Sequence, residues 1–261
     1  MRPTRLSRPI IKFVANLSKV CSYGFHALFP KKRFTLPTES APLISRHSNP
    51  QNGLIPRVIW QTNYTSRVTL PVYLNYLFNR LMAPTFAYRF MVTEERARFV
   101  RDNFPPGTFR AYDKLQIGAA QADFWRLLIL QKHGGVYMDI DAHLIWPLHR
   151  IIKSNDSEVF LKIKTGEISN YFIASKPDNP LLKAVARQVQ SNIETGSSEN
   201  VYNLTGPGVF NSVLQGLAVN TGYYLDVCNQ GNFTNEYFQY LDKPEGKWTK
   251  EQFRVSVIRR D

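Results

Sequence analysis

Apolar residues recur at Ile10, Phe13, Val14, Leu17, Val20, Phe25 and Leu28, the spacing of one helical face, with Lys12, Asn16 and Lys19 interrupting the run. A bilayer span needs about 20 nearly uncharged residues, so this segment does not fit one. It also lacks the small-residue cleavage site of a signal peptide. The pattern predicts an amphipathic helix within an arm of residues 1–35. Residues 36–53, rich in Pro, Ser and Asn, read as a linker. A domain over 54–261 then opens with "IPRVIWQT", whose apolar run predicts a strand from Arg57 to Trp60. "FAYRFMVT" (86–93) predicts a second strand, with Thr93 capping the helix "EERARFVRDNF" that Pro105 and Pro106 stop. "FRAYDKL" (109–115) alternates like a further strand. The longest helix runs through "IGAAQADFWRLLILQKHGG" and ends at Gly134 and Gly135, where a glycine takes the left-handed cap. Strand and helix in repeated succession predict an α/β sheet.

The charge of the chain sharpens the reading of the arm. With 33 Lys plus Arg against 20 Asp plus Glu, the formal charge is +13. Arg2, Arg5, Arg8, Lys12, Lys19, Lys31, Lys32 and Arg33 all precede the first acid, Glu39, so the arm carries most of the excess. A basic amphipathic helix predicts peripheral contact with an anionic membrane; the plainer expectation is a helix packed on the protein's own core. At 261 residues and 43% hydrophobic content the chain is long enough to bury one sizeable core. Two cysteines, Cys21 and Cys228, are too few for a disulfide framework or a Cys-based zinc site and point to a reducing compartment. The expected location is the cytoplasmic face of a bacterial inner membrane. The Asn-x-Ser/Thr triplets at Asn16, Asn63, Asn155, Asn203 and Asn232 make the Golgi the alternative.

The candidate chemistry lies in "GGVYMDIDA". Strand alternation puts Tyr137, Asp139 and Asp141 on one side and Val136, Met138 and Ile140 on the other. Same-side Cα atoms lie roughly 6.6–7 Å apart, so the two carboxylates can reach one cation. Without a cation they would repel, and one would keep its proton. Mn²⁺ or Mg²⁺ suits such a site, because hard ions accept carboxylate and diphosphate oxygens and tolerate few protein ligands. One helix earlier, Asp123 and Arg126 stand at i and i+3. On a surface this pair contributes a few tenths of a kcal/mol; beside the paired acids it becomes part of a site. His133, His143 and Trp248 read as structural or surface residues, and Gly206 and Pro207 turn the chain into a helix from Gly208.

The run "ADFWRLLILQKHGGVYMDIDAHL" resembles the signature of the DXD sugar transferases of glycosyltransferase family 32. "IPRVIWQT", "ISNYFIASKPDNPLL" and "LTGPGVF" look like further segments of that family. The resemblance implies a GT-A type fold, a Rossmann-like mixed sheet flanked by helices, and a retaining transfer of a hexose from a UDP- or GDP-sugar to a glycan or glycolipid, as in capsule or lipopolysaccharide synthesis. It also implies a divalent cation, usually Mn²⁺, held with the donor diphosphate by Asp139 and Asp141. Asp123 and Arg126 would meet donor-sugar hydroxyls, with Arg126 near the departing phosphate oxygen. Trp60, Gln61, Tyr137 and Asn170 would complete the donor pocket. Hydrolytic glycosidases instead need two carboxyl groups across the scissile bond, a task for which Asp-x-Asp is poorly arranged. The rivals are an inactive transferase-like scaffold and a basic module binding membrane or nucleic acid. No basic stripe interleaved with aromatics occurs in the central block, so no nucleic-acid partner is expected.

Overall fold

The computed structural model describes residues 4–45 and 54–259. It opens with α1 (Thr4–Leu28), followed by β1 (Phe34–Thr35) and β2 (Glu39–Ser40). Next come β3 (Val58–Thr62), β4 (Arg67–Val68), α2 (Leu70–Met82), β5 (Ala87–Met91), α3 (Thr93–Asn103), α4 (Pro106–Lys114) and α5 (Gly118–His133). The central run is β6 (Gly135–Met138), β7 (Ala142–Leu144), α6 (Leu148–Ile151), β8 (Glu158–Lys162), β9 (Ile168–Ser175) and α7 (Pro180–Thr195). The chain closes with α8 (Val201–Leu204), α9 (Pro207–Leu214), β10 (Thr221–Tyr223), α10 (Tyr224–Val227), β11 (Cys228–Gln230), α11 (Glu236–Gln239) and α12 (Trp248–Glu251).

Seven strands form one mixed sheet in the order β10-β8-β9-β6-β3-β5-β2, the α/β architecture expected from the sequence. Alternation along its strands feeds two cores. Trp60, Tyr137, Phe160 and Ile173 face α3, α4, α5, α7 and α9, where Phe99, Tyr112, Phe124 and Phe210 fill the space. Their neighbours Ile59, Val136, Met138 and Phe172 face the other way, against Val72 and Tyr76 of α2. β6, β3 and β5 run parallel, so their carboxyl ends open at one edge. β9 lies antiparallel between β6 and β8, which brings its first residues to that same edge. Ligands of α/β sheets collect there.

Several elements differ from the expectation. Of the segment 109–115, all but Leu115 belongs to helix α4, because Pro106 at its first position forfeits no hydrogen bond and Thr108, Ala111 and Tyr112 then point inward together. Thr93 is the first residue of α3, and the capping bond comes from Glu95, whose carboxylate accepts the Val92 N–H at 2.9 Å. Part of the expected linker is structured, since β2 pairs antiparallel with β5 at the edge of the sheet, and the end of the expected arm forms β1, which pairs with β4. The remainder, 46–53, lies outside the described residues. The N-terminal helix packs on the domain. Ile11, Ala15, Ser22 and His26 are buried, Ser7 donates to Ile145 O at 3.1 Å, and Arg8 pairs with Asp226.

The junction from α5 to β6 depends on two glycines. Gly134 has φ +62° and Gly135 φ +104°. A Cβ on Gly134 would lie 2.7 Å from Pro177 Cδ, and one on Gly135 2.6 Å from Val58 Cγ1. Only glycines let the helix stop and the next strand slide in beside β3.

Candidate active site

α5 carries no polar ridge on a solvent face. It is buried on all sides from Ala122 to Leu130, Asp123 and Arg126 included, and these two face a cleft of about 860 Å³ at the carboxyl edge of the sheet. Arg126 Nη2 lies 3.0 Å from Asp123 Oδ1 and 3.3 Å from Asp139 Oδ1, and its Nη1 donates to Asn170 O at 2.7 Å. The guanidinium sits 4.3 Å from the centre of the Tyr137 ring. Asp123 accepts from Asn170 Nδ2 at 2.9 Å and Thr205 Oγ1 at 3.1 Å.

The paired acids are brought together by a turn, because β6 ends at Met138 and strand alternation does not extend to them. Ala142 N donates to Asp139 O at 3.0 Å, and Asp139 N donates to Tyr171 O at 2.8 Å. Gln61 donates to Asp139 O at 3.1 Å from the other neighbouring strand, so the turn is anchored on both sides. Tyr137 donates to Asp139 Oδ1 at 2.6 Å. Two residues that no spacing rule marks complete the cluster. Gln230 Nε2 lies 3.0 Å from both Asp139 Oδ2 and Asp141 Oδ1, and Gln239 Nε2 lies 3.1 Å from Asp141 Oδ2. These amides neutralise part of the like-charge repulsion, and they arrive from sequence positions about 90 residues downstream.

Burial sets the ionisation of the network. It raises Asp123 to about 6, against the opposing pull of Arg126. Desolvation in the recess, with the charge of Asp139 second, raises Asp141 to about 6 as well. Burial pulls Arg126 down, but Tyr137, Asp139 and Asp123 together more than offset it, so the guanidinium stays charged. Burial keeps Tyr137 protonated and able to donate.

Among the expected site residues, Asp123, Arg126, Tyr137, Asp139, Asp141 and Asn170 converge on the cleft. Trp60 and Gln61 do not line it. Trp60 is buried in the core between sheet and helices, its Nε1 donating to Gly134 O at 2.9 Å, and Gln61 holds backbone. The loop after β3 supplies Asn63 and Tyr64 to the cleft in their place. Trp248, read from sequence as a surface or packing residue, lines the far wall with Tyr240 and Lys247. His143 is structural: it is buried, and Asn232 lies 3.2 Å from its Nε2.

The oxygen-only cluster fits a hard divalent cation. Asp139 Oδ2 and Asp141 Oδ1 share the Gln230 amide, Asp141 Oδ2 meets that of Gln239, both amides can turn their own oxygens inward, and a diphosphate would supply further ligands. Among the described residues no group of three His, Cys, Asp or Glu side chains forms a closed metal cage.

The model of the glycosyltransferase sugar-binding region containing the DXD motif matches residues 71–158, the stretch that holds Asp123, Arg126, Asp139 and Asp141. An uncharacterized glycosyltransferase of Acanthamoeba polyphaga mimivirus is 26% identical over 196 residues, a match spanning 70% of this chain and 77% of that protein. The initiation-specific alpha-1,6-mannosyltransferase of Schizosaccharomyces pombe is 23% identical over 227 residues, spanning 75% of this chain and 54% of that protein. The chain thus spans about half the length of the yeast relative. Among solved structures, the PaToxG glycosyltransferase aligns with a TM-score of 0.47 at 16% identity over 79% of each chain.

Proposed function

We propose that this chain, a glycosyltransferase of the DXD sugar-transferase family, moves a hexose with retention from a UDP- or GDP-sugar to a glycan or glycolipid acceptor, with Mn²⁺ or Mg²⁺ held by Asp139 and Asp141. The observation that carries this reading is the buried Asp123–Arg126 pair facing the cleft with half-buried Asp139 beside it, a fixed cation between two carboxylates. The bound metal would supply charge stabilisation for a departing diphosphate.

The chain's own residues divide the remaining work. Arg126 is held in place by Asp123, Asn170 and the Tyr137 ring before any substrate arrives, so aiming it at a leaving phosphate oxygen costs no reorganisation. Asp123 shares its two oxygens with Asn170 and Thr205, and its remaining acceptor capacity can take a sugar hydroxyl. Tyr137 fixes the rotamer of Asp139. Gln230 and Gln239 hold the Asp139–Asp141 pair assembled and give way, or turn their oxygens inward, when a cation enters. Tyr64, Tyr240 and Trp248 give the cleft aromatic faces suited to a base or a sugar ring.

The test is a panel of nucleotide sugars with Mn²⁺, scored for slow donor hydrolysis, which needs no acceptor. Hydrolysis of one donor, dependent on metal and lost in Asp141→Asn, is the expected result. No turnover of any donor under these conditions would overturn the proposal.

A further inference from the structure

α1 has two apolar faces, and only one of them is used by the fold. Ile11, Ala15, Ser22 and His26 are packed inward. Ile10, Phe13, Leu17, Val20 and Leu28 form a separate stripe that points to solvent, from 52% exposure at Leu17 to 76% at Leu28. Leaving so many large side chains in water along one line is a cost that a partner normally removes. The charge around the stripe says which partner. Every charged side chain from Arg8 to Arg33 is basic, and Lys12, Lys31 and Lys32 are exposed. A second copy of this helix would set lysine against lysine, whereas an anionic leaflet meets the apolar stripe with acyl chains and the lysines with headgroups. No helix of the described residues is long and apolar enough to cross a membrane, so the geometry is that of a helix lying in the interface.

The inward side of the same helix grips the wall of the cleft. Lys19 donates to Gly231 O at 3.3 Å, Asn235 Nδ2 donates to Tyr23 OH at 2.6 Å, and the Tyr23 ring lies 4.6 Å from that of Phe238. Arg33 closes the far end with two bonds of 2.6 Å to Asp242. The wall so held carries Gln230 and Gln239 on its other side, the amides that touch Asp139 and Asp141. We propose that the outward stripe of α1 docks on an anionic lipid leaflet and that docking steadies this wall, so that the enzyme turns over faster on a membrane than in solution. The turnover half of this statement rests on the transferase reading; the docking half does not.

The experiment pairs vesicle flotation with donor hydrolysis, using the full chain and vesicles of phosphatidylcholine with or without phosphatidylglycerol. The intact protein is expected to float with the anionic vesicles only, and its donor hydrolysis to rise severalfold in their presence. Phe13→Asp with Leu17→Asp lies wholly on the outward stripe, so this variant should stay folded, lose flotation and stimulation, and keep its solution rate. Tyr23→Ala should still float but respond less. Flotation that survives the Asp pair, or equal binding to neutral vesicles, overturns the docking surface. A doubled mass in solution that the Asp pair abolishes assigns the stripe to self-association and overturns it too. Flotation without any change in hydrolysis overturns the coupling. If no donor is hydrolysed in any condition, the transferase reading and the coupling fall while flotation still decides the docking.

Discussion

Asp123→Asn separates what the buried pair does for the fold from what it does for chemistry. At 3.0 Å, attraction to Arg126 is about 5 kcal/mol at an effective dielectric of about 20. The Asp123 carboxyl nevertheless rests at about 6, raised from 3.8, because burial outweighs that attraction and Asp139 adds repulsion. At about 1.4 kcal/mol per pKa unit, the site disfavours the charged form by about 3 kcal/mol relative to water. Desolvation wins, so the charge is not there for stability. An asparagine fits the same partners: its oxygen accepts from Asn170 and Arg126, and its nitrogen meets Thr205, whose hydroxyl turns its proton to Val201 O at 3.3 Å. The unfolding free energy at pH 7.5, from urea titration, is expected to stay within about 1 kcal/mol of the parent or to rise. Donor hydrolysis is expected to fall about 10²-fold or more, the scale of losing a preorganised contact. A variant that loses about 3 kcal/mol while turning over normally would make Asp123 a structural residue and refute the reasoning.

The same carboxyl sets a pH signature: its raised pKa means that the folded state holds the proton more tightly, so its contribution is present in acid and lost as pH rises from 3.8 to about 6. His143, lowered to about 4 by burial, acts in the opposite sense, with stability present above 6.5 and lost toward 4. Asp123→Asn should therefore lose about 2 kcal/mol relative to the parent between pH 7.5 and 4.5, measured by urea unfolding at both; a pH-independent difference would argue against the buried carboxyl. Asp139→Asn and Asp141→Asn should each abolish calorimetric Mn²⁺ binding in a folded protein, and retained binding would remove the metal role. Gly135→Ala, with φ +104° and a 2.6 Å approach to Val58, should cost about 3 kcal/mol or more in a thermal or urea unfolding experiment. Deleting residues 1–33 exposes the bed of Ile11, Ala15 and His26 and frees the cleft wall, so the truncated protein should melt lower and hydrolyse donor poorly; a fully active truncation would show that α1 is dispensable.

Local pattern revealed those parts of this protein whose cause is local. The strand through Trp60, the helix from Thr93 and the long helix to His133 follow from apolar spacing and their stop signals, and the structure has all three. Asp123, Arg126, Asp139 and Asp141 were visible because family spacing joins them. Alternation failed at Asp139, since a hydrogen-bonded turn replaces the strand there, and at 109–115, where Phe109 and Ala111 alternate as in a strand while the inward residues Thr108, Ala111 and Tyr112 have helical spacing. Trp60 shows a different limit. Its position in β3 was right, but alternation sends its ring into the core, and only the fold shows that the next loop faces the cleft. Gln230 and Gln239 left no trace in the sequence, because an uncharged amide near the end of a chain carries no signal until tertiary structure sets it against a carboxylate.

The pairing of α1 with the cleft wall also bears on how the protein is made. Helix α1 leaves the ribosome before its partners, since those of Ser7, Lys19, Tyr23 and Arg33 lie 138, 212, 212 and 209 residues further along the chain. Contacts of such separation form late, after the loop between them has closed. Until those partners have been made, both apolar faces of the helix are unsatisfied, and the cleft lacks the wall that finishes it. The nascent chain is consequently an aggregation hazard that a nearby lipid surface or a chaperone would relieve, and the cleft is complete only after its lining residues up to Trp248 have emerged.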